Sequence, residues 1–346
     1  MKKGFALDRQ LQLTAWLNAT LKQTFTLTTA SADASFRRYF RVHLVNPHLG
    51  HQTLIAMDAP PPQEDCAPFV KIAQLLLDAG LNAPKILEQD LINGFLLLSD
   101  LGDTTYLSQL NAQRENISHA QKLYSDATNA LVKMQLASQT DVLPAYDEAL
   151  LTREMQLFPD WYISKHLGVT LNAEQQAVLN NTFNVLNQNI LAQGKVIVHR
   201  DYHSRNLMVT DANNPGVLDF QDAVYGAVTY DLVSLLKDAY IEWDEEQIID
   251  WAVRYWQPAK KAGLPVSEDF SEFYRDFEWM GVQRHIKVLG IFARLSHRDG
   301  KDGYLKDMPL VMRYLRKVCE RYVELRPMLR LLNQLENVKP QEGFTF

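Results

Sequence analysis

Cysteine is scarce: Cys66 and Cys319 are the only two in 346 residues, and neither sits in CxxC or zinc-ligand spacing. That scarcity excludes a disulfide scaffold and reads as incidental thiols of a reducing compartment. No apolar run approaches the roughly 18 to 20 residues that a membrane-spanning helix requires. The first residues, MKKGFALDRQ, start basic but meet Asp8, Arg9 and Gln10 before a signal-like apolar segment forms, so a cytoplasmic protein without membrane contact is expected. Positive charge is not in excess: 35 Lys and Arg stand against 41 Asp and Glu, a net charge of −6. That balance weighs against a surface built to neutralise nucleic-acid phosphates. Internal repeats and low-complexity tracts are missing too. What remains is an ordinary globular composition, 47% hydrophobic and 22% charged, in a chain longer than a single core usually serves. Two lobes with a cleft between them are expected.

Periodicity fills in the lobes. Apolar spacing predicts a helix over residues 7–20, and β-branched and aromatic residues predict strands over 25–29, 39–45 and 53–57. After Pro60, Pro61 and Pro62, a second helix over 69–79 ends at Gly80. Strands over 86–90 and 95–99 flank Leu91-Ile92-Asn93-Gly94, and Asn-Gly is a strong hairpin signal. Residues 1–100 therefore read as an antiparallel sheet of about five strands with one inserted helix. Residues 101–346 read as mainly helical, with helices over 118–137, 148–166 and 172–193 and again beyond 232. Short strands over 195–198 and 216–220 interrupt them. The fold class is α+β.

Between those two short strands lies the densest chemistry. His199-Arg200-Asp201 is followed by Asn206, and Asp219-Phe220 comes 18 residues after Asp201. Phosphoryl transfer from ATP needs one carboxylate at the nucleophilic hydroxyl and oxygen ligands for magnesium, with positioning doing most of the rest. The order H-R-D-x-x-x-x-N followed by D-F supplies those groups in kinase order. Asp201 is expected as catalytic base, with Asn206 and Asp219 as magnesium ligands. Any one of these residues alone would read as a turn or cap; together, in order and between strands, they point to catalysis.

The segment resembles the aminoglycoside phosphotransferase and choline kinase superfamily, a branch of the protein-kinase-like fold. His203, completing H-x-D-x-H-x-x-N, strengthens that likeness. So does Tyr230-Asp231-Leu232, where the resemblance implies an acid bracing the catalytic loop from a helix start. It implies a two-lobed fold, ATP and Mg2+ as cofactors, and a monomer acting on a small molecule.

Two features depart from the kinase pattern. Residues 31–42, in the place of the phosphate-covering loop, contain no glycine; Ser35, Arg37, Arg38 and Arg41 are the groups there that could reach phosphate. The third strand, Leu54-Ile55-Ala56-Met57-Asp58, lacks the lysine that kinases use to hold the α and β phosphates. Either an arginine among Arg37, Arg38 and Arg41 substitutes, or the chain binds nucleotide without turnover as a pseudokinase. Ser99-Asp100-Leu101 resembles the hinge whose backbone reads the adenine edge.

For the acceptor, residues 33–41, 57–61 and 283–295 resemble a narrower family, the anomeric kinases of bacterial cell-wall recycling. That resemblance implies phosphorylation of N-acetylmuramate or N-acetylglucosamine at the C1 hydroxyl. An anionic lactyl sugar would want cations, and Arg284, His285 and Lys287 offer them, with His203 and Arg205 from the catalytic loop. Trp161, Trp243 and Trp279 could stack on a sugar or sit in the core. The acidic residues Asp238, Glu242, Asp244, Glu245 and Glu246 keep an aminoglycoside- or choline-type kinase open.

Overall fold

The computed structural model describes residues 2–32 and 36–336. The described chain divides into two compact units, residues up to 134 together with 205–222, and residues 135–204 together with those from 223 onward. Elements are numbered along the chain.

The first unit holds α1 (Lys2–Leu21), β1 (Phe25–Ala32), β2 (Arg38–His48), β3 (His51–Asp58), α2 (Ala67–Asp78), β4 (Ile86–Asp90), β5 (Phe95–Ser99), α3 (Tyr106–Ala112) and most of α4 (Ile117–Leu136). Its five strands form an antiparallel sheet in the order β1-β2-β3-β5-β4. Leu13, Leu17 and Leu21 recur every four residues on one face of α1 and pack against Phe40, Val42, Leu54, Ala56 and Leu97 of the sheet. All five residues of β5 are buried, as a strand covered on both faces requires. The Asn-Gly turn forms as the sequence predicts: Asn93 donates to Asp90 from its backbone at 3.0 Å and its side chain at 2.8 Å. Gly94 adopts φ +71°, and a Cβ there would lie 1.9 Å from the Ala59 carbonyl oxygen, so no other residue fits. A short hairpin of β7 (Leu207–Met208) and β8 (Gly216–Val217) completes this unit, tied to it by Val217 N–H donating to Asn82 O and Val209 N–H donating to Thr104 O, both at 2.8 Å.

The second unit is helical around one antiparallel pair, β6 (Lys195–Val198) with β9 (Val224–Ala227). Its helices are α5 (Glu148–Met155), α6 (Ala173–Ala192), α7 (Tyr230–Leu236), α8 (Glu245–Lys261), α9 (Phe270–Asp299), α10 (Met308–Arg321) and α11 (Arg326–Leu335). α9 is the axis: every residue from Phe277 to Gly290 is buried, on all sides of the helix. Gly290 permits this, because a Cβ there would stand 2.4 Å from the Leu157 carbonyl carbon.

Two expectations change. The helix expected over 148–166 is two pieces, α5 and a π-helix over Phe158–His166, because Pro159 has no N–H to continue the α ladder. The strand expected over 216–220 stops at Val217, and Asp219 turns into the left-handed region at φ +63°. Among the described residues no helix is long and apolar enough to cross a membrane.

Candidate active site

In the second unit the chain leaves β6 at Val198 and enters the loop that carries Asp201. Asp231, wholly buried at the start of α7, accepts hydrogen bonds from the backbone N–H groups of His199 at 2.6 Å and Arg200 at 3.0 Å. This is the brace that the resemblance implied. Burial pushes the Asp231 carboxyl up to about 7 against those two bonds. The His199 ring turns back on the same loop, its Nδ1 accepting from the Asp201 N–H at 3.2 Å. Arg200 adopts φ +77°, a conformation that a branched-free polar residue holds only when its surroundings fix it. Glu154 does so: it pairs with Arg200 and with Lys287 at 3.0 Å, and Tyr146 donates to its other oxygen. Burial opposes the charge on Glu154, but Lys287 and Arg200 outweigh it and hold the carboxyl below its usual value.

Asp201 itself stands 4.0 Å from the Arg284 guanidinium, with its side chain 42% exposed. Burial works to raise its pKa, and the fields of Lys287, Arg284, His203 and His199 overcome that and bring it to about 2. Arg284 is fixed by donating to Arg200 O at 2.8 Å and to the Tyr230 hydroxyl at 3.2 Å. Two residues on, His203 packs edge-on against Tyr240, with ring centroids 5.5 Å apart. Ser204 is held by the buried Asp238, which accepts from its N–H at 3.0 Å and from its hydroxyl.

In the first unit, Asn206 donates from Nδ2 to Asp219 Oδ2 at 3.2 Å. The Leu218 N–H donates to Asn206 O at 2.9 Å, so the two turns that carry these side chains are themselves tied. Gln221 Nε2 donates to Asp219 Oδ1 at 2.8 Å, while Gln221 Oε1 is buried with no donor among the described residues. Arg205, between the two segments, is exposed.

The residues expected at the nucleotide separate by environment. Ser35 lies outside the described residues. Arg37 pairs with Glu64 at 3.0 Å. Arg38 binds Asp58, its register partner on β3, and Arg9 binds the other carboxylate oxygen of the same residue. Arg41 forks onto Asp100 at 2.6 and 3.1 Å and donates to Gly102 O at 2.7 Å. Ser99 donates its N–H to Lys85 O at 2.9 Å and accepts from Lys85 N at 2.8 Å through Oγ. Its N–H is thus committed to Lys85.

His285 departs from expectation. It is 1% exposed, its ring stacked on Tyr314 at 5.3 Å, and burial lowers its pKa to about 3, so it is a neutral core histidine and is not presented to a ligand. Trp243 and Trp279 are also core, packed on Trp251 and Tyr322. Glu154 escapes sequence reasoning, since it lies outside the motif and only the fold carries it there; Asp238, read from the sequence as one of an acidic group, braces Ser204 instead.

Asp201 is thus held ionised in the second unit, and Asn206 and Asp219 form an amide–carboxylate pair in the first. Residues 26–264 match the family described as the phosphotransferase enzyme family, and the chain belongs to it. It is 48% identical over 342 residues to the N-acetylmuramate/N-acetylglucosamine kinase of Neisseria meningitidis, covering 98% of this chain and 100% of that one. It is 49% identical over 335 residues to the protein of the same name from Pseudomonas aeruginosa, covering 94% and 96%. Among solved structures, the choline kinase of Streptococcus pneumoniae shares the fold with a TM-score of 0.62 at 12% identity, covering 89% of this chain and 99% of that one. A choline/ethanolamine kinase family protein from Mesorhizobium loti does so at 0.60 and 14%, covering 93% and 99%.

Proposed function

We propose that the chain is a kinase that transfers the γ-phosphoryl group of ATP to the C1 hydroxyl of N-acetylmuramate or N-acetylglucosamine, releasing ADP and the sugar 1-phosphate. The phosphoryl-transfer half of this reading is carried by one observation, the pairing of Asn206 with Asp219 on the segment that Asp201 opens. The acceptor rests on the near full-length similarity to kinases of those two sugars.

Asn206 and Asp219 offer an amide oxygen and a carboxylate, the donors that suit a hard cation completing its shell with phosphate and water. The orphaned Gln221 Oε1 beside Asp219 could accept from a water of such a shell. These residues fit magnesium, which when bound neutralises charge on the β and γ phosphates. Asp201 accepts the hydrogen bond of the sugar hydroxyl and takes its proton as the new O–P bond forms. A carboxylate at about pKa 2 is a weak base, so its main work is orientation, which matches a transition state asking little of its nucleophile. Arg284 keeps Asp201 ionised and, with His203 and the exposed Arg205, is proposed to face the acceptor. Residues 1–100, with the hinge at Asp100 and Leu101, are proposed as the nucleotide lobe of a cytoplasmic monomer.

The test is ATP consumption by the purified protein with Mg2+ against N-acetylmuramate, N-acetylglucosamine, choline and kanamycin, with 31P NMR to locate the new phosphate. A sugar 1-phosphate is expected. Transfer to choline or kanamycin alone would overturn the acceptor, and silence on all four would favour a pseudokinase.

A further inference from the structure

Lys287 of α9, which the sequence offers as a cation for the acceptor, is 5% exposed. Its Nζ is committed inside the second unit, 3.0 Å from Glu154 Oε1 and donating to the Tyr230 hydroxyl at 2.9 Å. We infer that Lys287 is a positioning residue for phosphoryl transfer, acting through Tyr230 and Arg284 to hold Asp201 charged and in place. This rests on the kinase reading above and adds to it the residue on which its base depends.

Fold stability alone gives no reason for this ammonium. Glu154 already has Arg200 on one oxygen and Tyr146 donating to the other. A second cation on the same carboxylate leaves Glu154, Arg200 and Lys287 with a net positive charge in a buried place, where an apolar side chain would cost less. That surplus wants a further acid. Asp231 is occupied with the backbone N–H groups of His199 and Arg200, and Asp201 is the other acid beside the cluster.

The route from Lys287 to Asp201 is short. Arg284 stands three residues earlier on α9, on the same face of the helix, and its Nη1 donates to the same Tyr230 hydroxyl at 3.2 Å. Lysine and arginine only donate, and a hydroxyl oxygen carries two lone pairs, so Tyr230 receives both cations at once and fixes one against the other. Nη1 of Arg284 also donates to Arg200 O at 2.8 Å, and Nη2 lies 4.0 Å from Asp201 Oδ1. Tyr230 is wholly buried, with Tyr146 edge-on to it at a ring separation of 5.3 Å. Tyr146 in turn donates to Glu154, which closes the circuit back to Lys287. The first turn of α7 thereby sets both halves of the site: Asp231 holds the loop backbone, and Tyr230 holds the cations that face its carboxylate. The electrostatics agree. Burial works to raise the Asp201 pKa, and of the groups that lower it Lys287 acts most strongly, followed by Arg284, His203 and His199.

The experiment is the pH profile of kcat for the full chain with Mg2+–ATP and N-acetylmuramate or N-acetylglucosamine, taken as the ratio of variant to wild type. The ratio divides out the titration of the nucleotide and of His199, His203 and Asp231, which both chains share. Lys287→Met leaves Glu154 paired with Arg200 and Tyr146, so a folded chain with an unchanged circular dichroism spectrum is expected. Near pH 8 its kcat should be about tenfold to a hundredfold low, with the KM for ATP unchanged. Without the cation Asp201 holds its charge less readily and its pKa rises, so the ratio should fall further as pH drops from about 6 towards about 4. Lys287→Arg keeps the charge and should recover part of the loss with a flat ratio. Tyr230→Phe removes the shared hydroxyl and no charge, and should lower kcat by the same amount at every pH. A folded Lys287→Met whose kcat stays within about twofold of the wild type would overturn the inference, as would a loss equal at every pH, which a merely structural role would give. Should that variant not fold, Tyr230→Phe decides, and near-normal kcat in it overturns the inference. A wild-type chain inert with both sugars overturns the kinase reading itself, whereas an active wild type with an indifferent Lys287 overturns this inference alone.

Discussion

Asp201 shows how much a single side chain owes to its neighbours. Its carboxyl is drawn down to about 2 by Lys287 and Arg284 against the effect of burial. A depressed folded pKa means that the charged form is favoured in the native protein; its stabilising contribution is in place above the unfolded value of about 4 and is lost only as pH falls through about 2. Partial exposure tempers its size. The expected pH–rate profile accordingly has no inflection near pH 4, where an unperturbed carboxylate would give one. Asp201→Asn should lower kcat by about 10²- to 10⁴-fold while Mg2+–ATP affinity changes little, and near-normal turnover would remove Asp201 from its role. At this scale the sequence is legible where residue type and spacing act together, as in the pairing of Asn206 with Asp219 that the fold forms. It is illegible at Glu154, 46 residues before its partner Arg200 and indistinguishable in sequence from a solvated helix charge. His285 misleads for a geometric reason: successive helix residues point about 100° apart, so standing next to Arg284 says nothing about sharing its surroundings.

Among the elements, the strands of the five-stranded sheet and the amphipathic helices follow their patterns closely: β2 alternates buried with more exposed residues over much of its length, and β5, apolar along its run, is buried on both faces. The π-helix over Phe158–His166 does not, because a proline inside a helical pattern signals a break without saying how the chain will wind past it. Nor does the end of β8: the left-handed turn at Asp219 is a local strain that the surrounding site maintains, invisible in a run of apolar residues. α9 supplies a direct test of packing. Gly290→Ala would press a methyl group into the backbone of Leu157, and a loss of about 1–3 kcal/mol is expected, read as a lower melting temperature. Gly303→Ala, where an added Cβ meets nothing within 4 Å, should leave the melting temperature unchanged.

At the scale of the whole molecule, the α+β class and its order of sheet first and helices after are readable from the change in hydrophobic period near residue 100. The interleaving is not readable, because the hairpin of β7 and β8 has only two residues per strand and joins the first unit through single backbone bonds to Asn82 and Thr104. A fragment of residues 1–134 therefore lacks the hairpin, Asn206 and Asp219, and loses the partner that Phe220 gives to Phe69. Such a fragment is expected to bind no Mg2+–ATP and to melt without a cooperative transition; tight binding by it would contradict the division of the chain described above.

That same threading bears on descent. The chain passes between its units at three joints, after residues 134, 204 and 222, so no single crossover in a gene can exchange one unit for that of a relative. A recombinant that traded only the chain beyond residue 134 would import a foreign hairpin, and with it foreign Asn206 and Asp219 positions, into a sheet selected alongside its own. New acceptor specificities in such a lineage are accordingly expected to arise by point substitution around the loop more readily than by shuffling halves.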